Sequence, residues 1–357
     1  MATKAEDLSA RNIDQESRER AARIPELLVS ADSHVDEPTD LWDELPADIR
    51  EQLPPIRVWT ADNRPAGGND PKIRIEHMDL DHVAAEILYP TSTLRVFKRP
   101  QKAQEAAFRV YNDWVADYCK TAPKRLFAVP CLCVYDIDWA IKEMQRCHDM
   151  GLLGGLLWQV PDPELPFTSD HYDPLWAAAA ELGYPINFHI LSGHSYETAN
   201  LRGIDIVRAS VNIKTANTIT TIFDLIWSGV FDRHPKLKVE LVESEIGFIP
   251  FILQQWDYYY NRFSKPGSDR GGFPITRLPS EIFHDHVYAT FMDDDIGSEL
   301  LKVWGQDNCM WSSDYPHGNM TWPNSRAFIA KQIGDLDYET QERLISRNVI
   351  DLYKLAL

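Results

Sequence analysis

Asp32 and His34 stand two residues apart in the stretch Leu28-Val29-Ser30-Ala31-Asp32-Ser33-His34-Val35-Asp36-Glu37-Pro38. On an extended strand that spacing sends both side chains to one side. A carboxylate and an imidazole leaving a strand end together are half of a divalent-metal site. Three more ionisable residues fall at the ends of apolar runs: His189 in PINFHI, Glu243 in LKVELVE, and Asp314 just after CMWS. Any one of them is as readily a structural residue as a ligand. Five such groups closing four otherwise apolar strands are better explained as a set that meets at one cation.

Glu37, His194 and His317 lie close by in sequence and extend the candidate ligands to Asp32, His34, Glu37, His189, His194, Glu243, Asp314 and His317. That exceeds the roughly three to five protein ligands that one catalytic zinc takes. An oxygen-rich shell with some imidazole suits iron or manganese, and enough carboxylates can hold two ions. Three of these residues have other readings. Glu37 could cap the turn before Pro38, His194 could bind a substrate carboxylate or sit on a loop, and His317 could hold Asp314 in place. Arg95, in TSTLRVFKR, is placed to grip a substrate carboxylate in a bidentate manner, with a surface salt bridge as the equal alternative.

The elements that must position these groups alternate regularly. Strands are expected at the opening stretch and within Asp79–Pro90, Arg125–Val134, Gly154–Gln159, Pro185–Ile190, Leu237–Glu243, His286–Thr290 and Cys309–Ser312. Helical patterns fall at Leu41–Arg50, Gln101–Ala122, Ile137–Met150, Asp173–Leu182, Ile204–Gly229, Phe248–Phe263, Ile296–Trp304 and Glu339–Tyr353. Apolar strands alternating with amphipathic helices imply a parallel sheet covered by helices, and about eight units fit a (β/α)8 TIM barrel. Such barrels carry their chemistry at the carboxyl ends of the strands, where these acids and histidines fall. No GxGxxG follows a strand and no GxxxxGK[ST] is present, which removes support for nucleotide binding.

Composition bounds the rest. The chain has 357 residues and 44% hydrophobic content, enough for one large core. Residues 25–357 are expected to form a single catalytic barrel, with an excursion around 50–75 rich in Pro and Gly. Residues 1–24 are expected to be a flexible arm, with a neighbouring subunit as its resting place. The formal charge of −18 argues against nucleic acid and anionic membranes. The polar N-terminus lacks a signal peptide's apolar run, and the expected location is the cytoplasm. Five cysteines without CxxC spacing read as small buried hydrophobes.

From Leu28 onward the chain resembles the amidohydrolase superfamily, in the branch of aminocarboxymuconate semialdehyde, resorcylate and carboxyvanillate decarboxylases. The resemblance rests on the strand-one dyad, KRLFAVPCL, DIDWAIKEMQRC followed by GLLGGLLWQ, the PINFHI histidine, RHPKLKVELVES and WSSDYPHGNMTWP. It implies a (β/α)8 barrel with a divalent metal (zinc, iron or manganese) on Asp32, His34, His189 and Asp314. Two departures stand out. Many members carry His-x-His where this chain has Asp32-Ser33-His34, and Glu243 occupies a position where the family usually places a histidine.

The function implied is hydrolysis or non-oxidative decarboxylation of a small carboxylated compound, with Glu243 and Asp314 moving protons and His189 as ligand and orienting group. The patterns DSHxxEP and ES-x-IG-x-IP are also similar to dinuclear iron oxygenase members of the superfamily, such as 2-aminoisobutyrate hydroxylase. They make a dinuclear iron or iron/manganese hydroxylase the alternative. An inactive barrel serving as a partner subunit is a third reading. The resemblance implies a homo-dimer or a hetero-oligomer with a related barrel.

Overall fold

The computed structural model describes residues 13–60, 64–194, 201–265 and 269–357. Eight short strands form the centre: β1 (Leu28–Val35), β2 (Val83–Pro90), β3 (Leu126–Ala128), β4 (Gly155–Leu157), β5 (Ile186–His189), β6 (Val239–Val242), β7 (Val287–Phe291) and β8 (Cys309–Trp311). All neighbours pair in parallel, in the order β1-β2-β3 and β4-β5-β6-β7-β8. Hydrogen bonds close both seams. Leu156 N–H donates to Pro130 O at 2.8 Å, and Leu132 N–H donates to Leu156 O at 3.0 Å. Across the other seam, Asp314 N–H reaches Asp32 O at 3.0 Å and His34 N–H reaches Tyr315 O at 2.6 Å. Strands bearing two prospective ligands are thus bonded directly to each other.

Each connection carries a helix, as parallel strands require. The helix over Pro71–Asp81 is started by the Asp70 carboxylate on the Lys72 and Ile73 amides, and Asp136 caps Ile137–Asp149 in the same way through Trp139. Gly183, at φ 68°, turns the chain out of Asp173–Leu182 into β5. Cys131, Cys133, Cys147 and Cys309 are buried and all five cysteines are free thiols. No helix among the described residues is long and apolar enough to cross a membrane.

Three departures from the sequence reading have local causes. The run Arg125–Val134 is regular strand only over Leu126–Ala128, because Pro130 has no N–H to give to a ladder; pairing resumes at Cys131 against Leu156. The helical region expected from Ile204 is present but not uniformly α-helical: a π-turn at Ala209–Ile213 joins Ile204–Arg208 to Lys214–Trp227 without a break. Of the arm expected over 1–24, residues 1–12 lie outside the described residues. Gln15–Arg20 is helical and rests on this chain's own barrel rather than extending away. Arg20 pairs with Asp335 at 2.5 Å, and the Arg326 guanidinium donates to the carbonyls of Ala21 and Pro25, both at 3.2 Å.

The segment expected as an excursion around 50–75 also returns to the barrel; residues 61–63 lie outside the described residues. Its Arg64 is buried, paired with Asp36 and stacked 3.6 Å over the Trp59 ring. Gly67 and Gly68 are packed so closely against Tyr315, Arg74 and Asp36 that a Cβ on either would collide with them. The excursion therefore forms part of the mouth.

Candidate metal centre

Asp32 and His34 project together from β1, as their two-residue spacing demands, with His34 Nε2 3.5 Å from Asp32 Oδ1. His189 is the last residue of β5. Glu243 and Asp314 come just after β6 and β8 in the left-handed region, at φ 56° and 51°. A non-glycine residue held there is strained, and such strain concentrates at working sites. Thr290 Oγ1 fixes the Glu243 turn by accepting its N–H at 2.7 Å. The Ser30, Ser33 and Ser313 hydroxyls interlock between β1 and β8 at 2.9–3.1 Å, below the two aspartates.

The protonation pattern follows from the partners. His34 Nδ1 lies 2.9 Å from Pro90 O, and His189 Nδ1 lies 2.9 Å from Ile190 O. A carbonyl only accepts, so each Nδ1 carries the hydrogen and each Nε2 presents a lone pair. Those two lone pairs face each other at 3.1 Å. Burial holds His34 well below its ordinary value and His189 at about 4, so both are neutral near pH 7. Beside them the fully buried Asp32 carboxylate accepts no hydrogen bond among the described residues. Desolvation, then repulsion from Asp314 and Glu243, pushes Asp32 well above the usual aspartate range, and burial raises Asp314 as well.

Two facing lone pairs and an orphaned buried carboxylate repel one another unless a cation lies between them. The spacing suits one. His34 Nε2 is 3.5 Å from Asp314 Oδ1, and His189 Nε2 is 3.9 Å from Asp32 Oδ1 and 3.6 Å from Glu243 Oε2. Ligands bound at about 2.1 Å in octahedral or tetrahedral shells stand roughly 3.0–3.4 Å apart, close to these separations. Two sets of four residues bring their ligand atoms within 4.8 Å of one another: Asp32, His34, His189 and Glu243, and His34, Glu243, Asp314 and His317. The donor set fits a divalent cation.

The structure does not bring every candidate together. Glu37 is buried away from the cluster with both oxygens engaged, by the Ser92 and Thr93 amides at 2.8 Å. It caps the 3₁₀ turn Thr93–Val96, and the role assigned to it as a ligand is corrected on that ground. His194 stands on the rim, its Nε2 3.5 Å from Asp162 Oδ2 and 3.3 Å from the Tyr135 hydroxyl, and belongs to neither group of four. His317 is in the centre: its Nδ1 is 2.8 Å from Asp314 Oδ1 and its ring stacks on His34 at 3.9 Å.

Above the cluster opens a cavity of about 310 Å³. His189, Glu243 and His317 form its floor, and Arg57, Arg64, Arg95 and Lys98 line its wall. Arg95 thus shares a cavity with the cluster, as its place after β2 suggested. The sequence reading missed Arg57, Arg64 and Lys214. The Lys214 ammonium lies 3.7 Å from Glu243 Oε1. None of the three sits in a local sequence pattern, and the π-turn that precedes Lys214 shows only in the structure.

Eight parallel strands with carboxylates and imidazoles converging at their carboxyl ends define a metal-binding (β/α)8 barrel. The chain belongs to the amidohydrolase family, Amidohydro_2, whose pattern matches residues 31–355. Among curated relatives, gamma-resorcylate decarboxylase of Rhizobium sp. (strain MTP-10005) is 26% identical over 290 residues, covering 78% of this chain and 86% of the relative. The 2-amino-3-carboxymuconate-6-semialdehyde decarboxylase of Dictyostelium discoideum is 24% identical over 306 residues, covering 80% and 77%. Among solved structures, 5-carboxyvanillate decarboxylase from Sphingomonas paucimobilis superposes with a TM-score of 0.74 at 20% identity, over 93% of this chain and 100% of that one. A dihydroxybenzoic acid decarboxylase from Polaromonas sp. JS666, holding manganese and the inhibitor 2-nitroresorcinol, gives 0.67 at 18% identity, over 92% and 97%. None of these relatives supports the dioxygen-dependent hydroxylase reading, which is set aside.

Proposed function

We propose that this protein is a divalent-metal-dependent, non-oxidative decarboxylase of a small hydroxylated aromatic carboxylate, with manganese as the working ion. The observation that carries the reading is the junction of two unlike surfaces in one cavity. An anionic floor able to hold a cation meets a wall bearing Arg57, Arg64, Arg95 and Lys98. The decarboxylases among the relatives and the manganese in the Polaromonas structure support it. Hydrolysis is the second reading, favoured by the same floor, since a cation there would also activate water.

Asp32, His34, His189 and Asp314 would hold the ion. It would supply a Lewis acid for substrate oxygens. Arg95 and its cationic neighbours would orient the substrate's carboxylate by charge-assisted hydrogen bonds. Loss of CO2 requires a proton on the carbon that releases it. Of the two carboxyl groups expected to move protons, Asp314 would be committed to the ion, which leaves Glu243, the one that lines the cavity, to hold that proton. His189, its Nδ1–H held by Ile190 O, would give its Nε2 to the ion and so fix the cation beside Glu243, whose Oε2 lies 3.6 Å away. The aromatic Phe251, Tyr258 and Tyr259, exposed along Ile249–Phe263, support self-association as a further part of the reading.

The test is incubation of manganese-loaded protein with 2,6-dihydroxybenzoate and related phenolic acids in D2O. Release of CO2 with one deuterium on the vacated ring carbon is expected. Cleavage of esters or lactones with no CO2 from any phenolic acid would contradict decarboxylation and favour hydrolysis.

A further inference from the structure

Lys214 opens the helix Lys214–Trp227 directly after the π-turn Ala209–Ile213, and its side chain is only 17% exposed. Solvent therefore screens its charge weakly. The ammonium faces Glu243, whose two oxygens have different neighbours: Oε2 lies 3.6 Å from His189 Nε2, while Oε1 lies 3.7 Å from Lys214 Nζ. The two groups of four prospective ligands overlap in His34 and Glu243. His34 has a single nitrogen to offer, because its Nδ1–H is committed to Pro90 O. It can bind one ion only. A second ion would have to rely on Glu243, Asp314 and His317, with Glu243 bridging through both oxygens. Lys214 already engages the oxygen that such a bridge needs.

Charge counting points the same way. With Glu243 in its proton-free form, Asp32, Asp314 and Glu243 bring three negative charges to the two groups of four and the neutral histidines none. Within those groups one divalent ion with the Lys214 ammonium balances them, whereas two divalent ions beside that ammonium would not; the buried Glu245, which Lys214 also attracts, lies outside both groups. We propose that Lys214 is a built-in counter-charge that takes the place of a second cation and makes the centre mononuclear. It acts through Glu243 and is a positioning residue. The proposal rests on the cluster being a metal centre.

Equilibrium dialysis of the full chain against Mn(II), with elemental analysis, tests it alongside low-temperature EPR. Wild type and Lys214→Arg should hold about one ion and give an uncoupled six-line spectrum, whereas the neutral variants Lys214→Met and Lys214→Gln should hold about two, spin-coupled through Glu243. Adding Glu243→Gln to Lys214→Met should restore a single ion. Either neutral variant decides the matter, with thermal melting to confirm that it folds. A wild type that binds two coupled ions overturns the proposal. So does a folded Lys214→Met or Lys214→Gln that still binds one. A wild type binding none would instead overturn the metal-centre reading itself.

Discussion

Burial works in opposite directions on the two kinds of residue at the floor of the cavity. It keeps His34 and His189 neutral and ready to donate lone pairs, and it favours the protonated forms of Asp32 and Asp314. In the metal-free protein the raised aspartates stabilise the fold while they are protonated. That contribution is complete below the ordinary aspartate value of about 4 and is lost as pH rises through their raised values in the folded state. A cation replaces the lost protons. The increase in melting temperature on adding manganese should therefore grow as pH rises from about 4 toward neutrality. Melting curves with and without the ion across that range check the sign; a shift that shrinks with rising pH would contradict it.

At the scale of elements, Arg74 is the tie that holds ligand-bearing strands in register. It is fully buried on the helix Pro71–Asp81, with Nε on Glu86 Oε2 at 2.5 Å and Nη1 on His34 O at 2.6 Å. Its guanidinium also lies 4.9 Å from the Tyr315 ring centre, beside Asp314. Arg74→Met leaves the Glu86 carboxylate buried without its partner, and should cost about 3–5 kcal/mol in urea unfolding. Glu86→Gln added to it should recover part of the loss, which an unrelated defect would not.

The eight strand positions and the dyad on β1 were legible because a strand repeats every two residues and a helix every 3.6, and both periods are local. Glu243 and Asp314 were legible as acids ending apolar runs, although their left-handed turns were not. Arg74, Arg64 and Lys214 were illegible for the opposite reason. Arg74 meets His34 from 40 residues away, and no nearby pattern marks a lone cation in a helix or loop. Glu37 misled because its neighbours in sequence are candidate ligands, whereas its partners, the Ser92 and Thr93 amides, arrive from the end of β2.

Across the whole molecule, charge is sorted against its own average. A chain of net charge −18 lines one wall of its cavity with three arginines and a lysine. Such a site attracts small anions that the rest of the surface repels, and salt screens the attraction over about 8 Å at physiological ionic strength. KM for a phenolic acid substrate should rise with ionic strength while kcat changes little. Arg95→Ala should raise KM about tenfold or more, the worth of a charge-assisted hydrogen bond. Steady-state kinetics in a salt series check both.

The central claim is that Asp32, His34, His189 and Asp314 close on one cation, and diffraction across the manganese absorption edge, joined to elemental analysis of the same crystals, tests it most directly. The account predicts about one ion per chain, with a single anomalous peak roughly 2 Å from an oxygen or Nε2 of each of those residues. Crystals grown with excess manganese that show no peak there, or a peak elsewhere on the barrel, would contradict it.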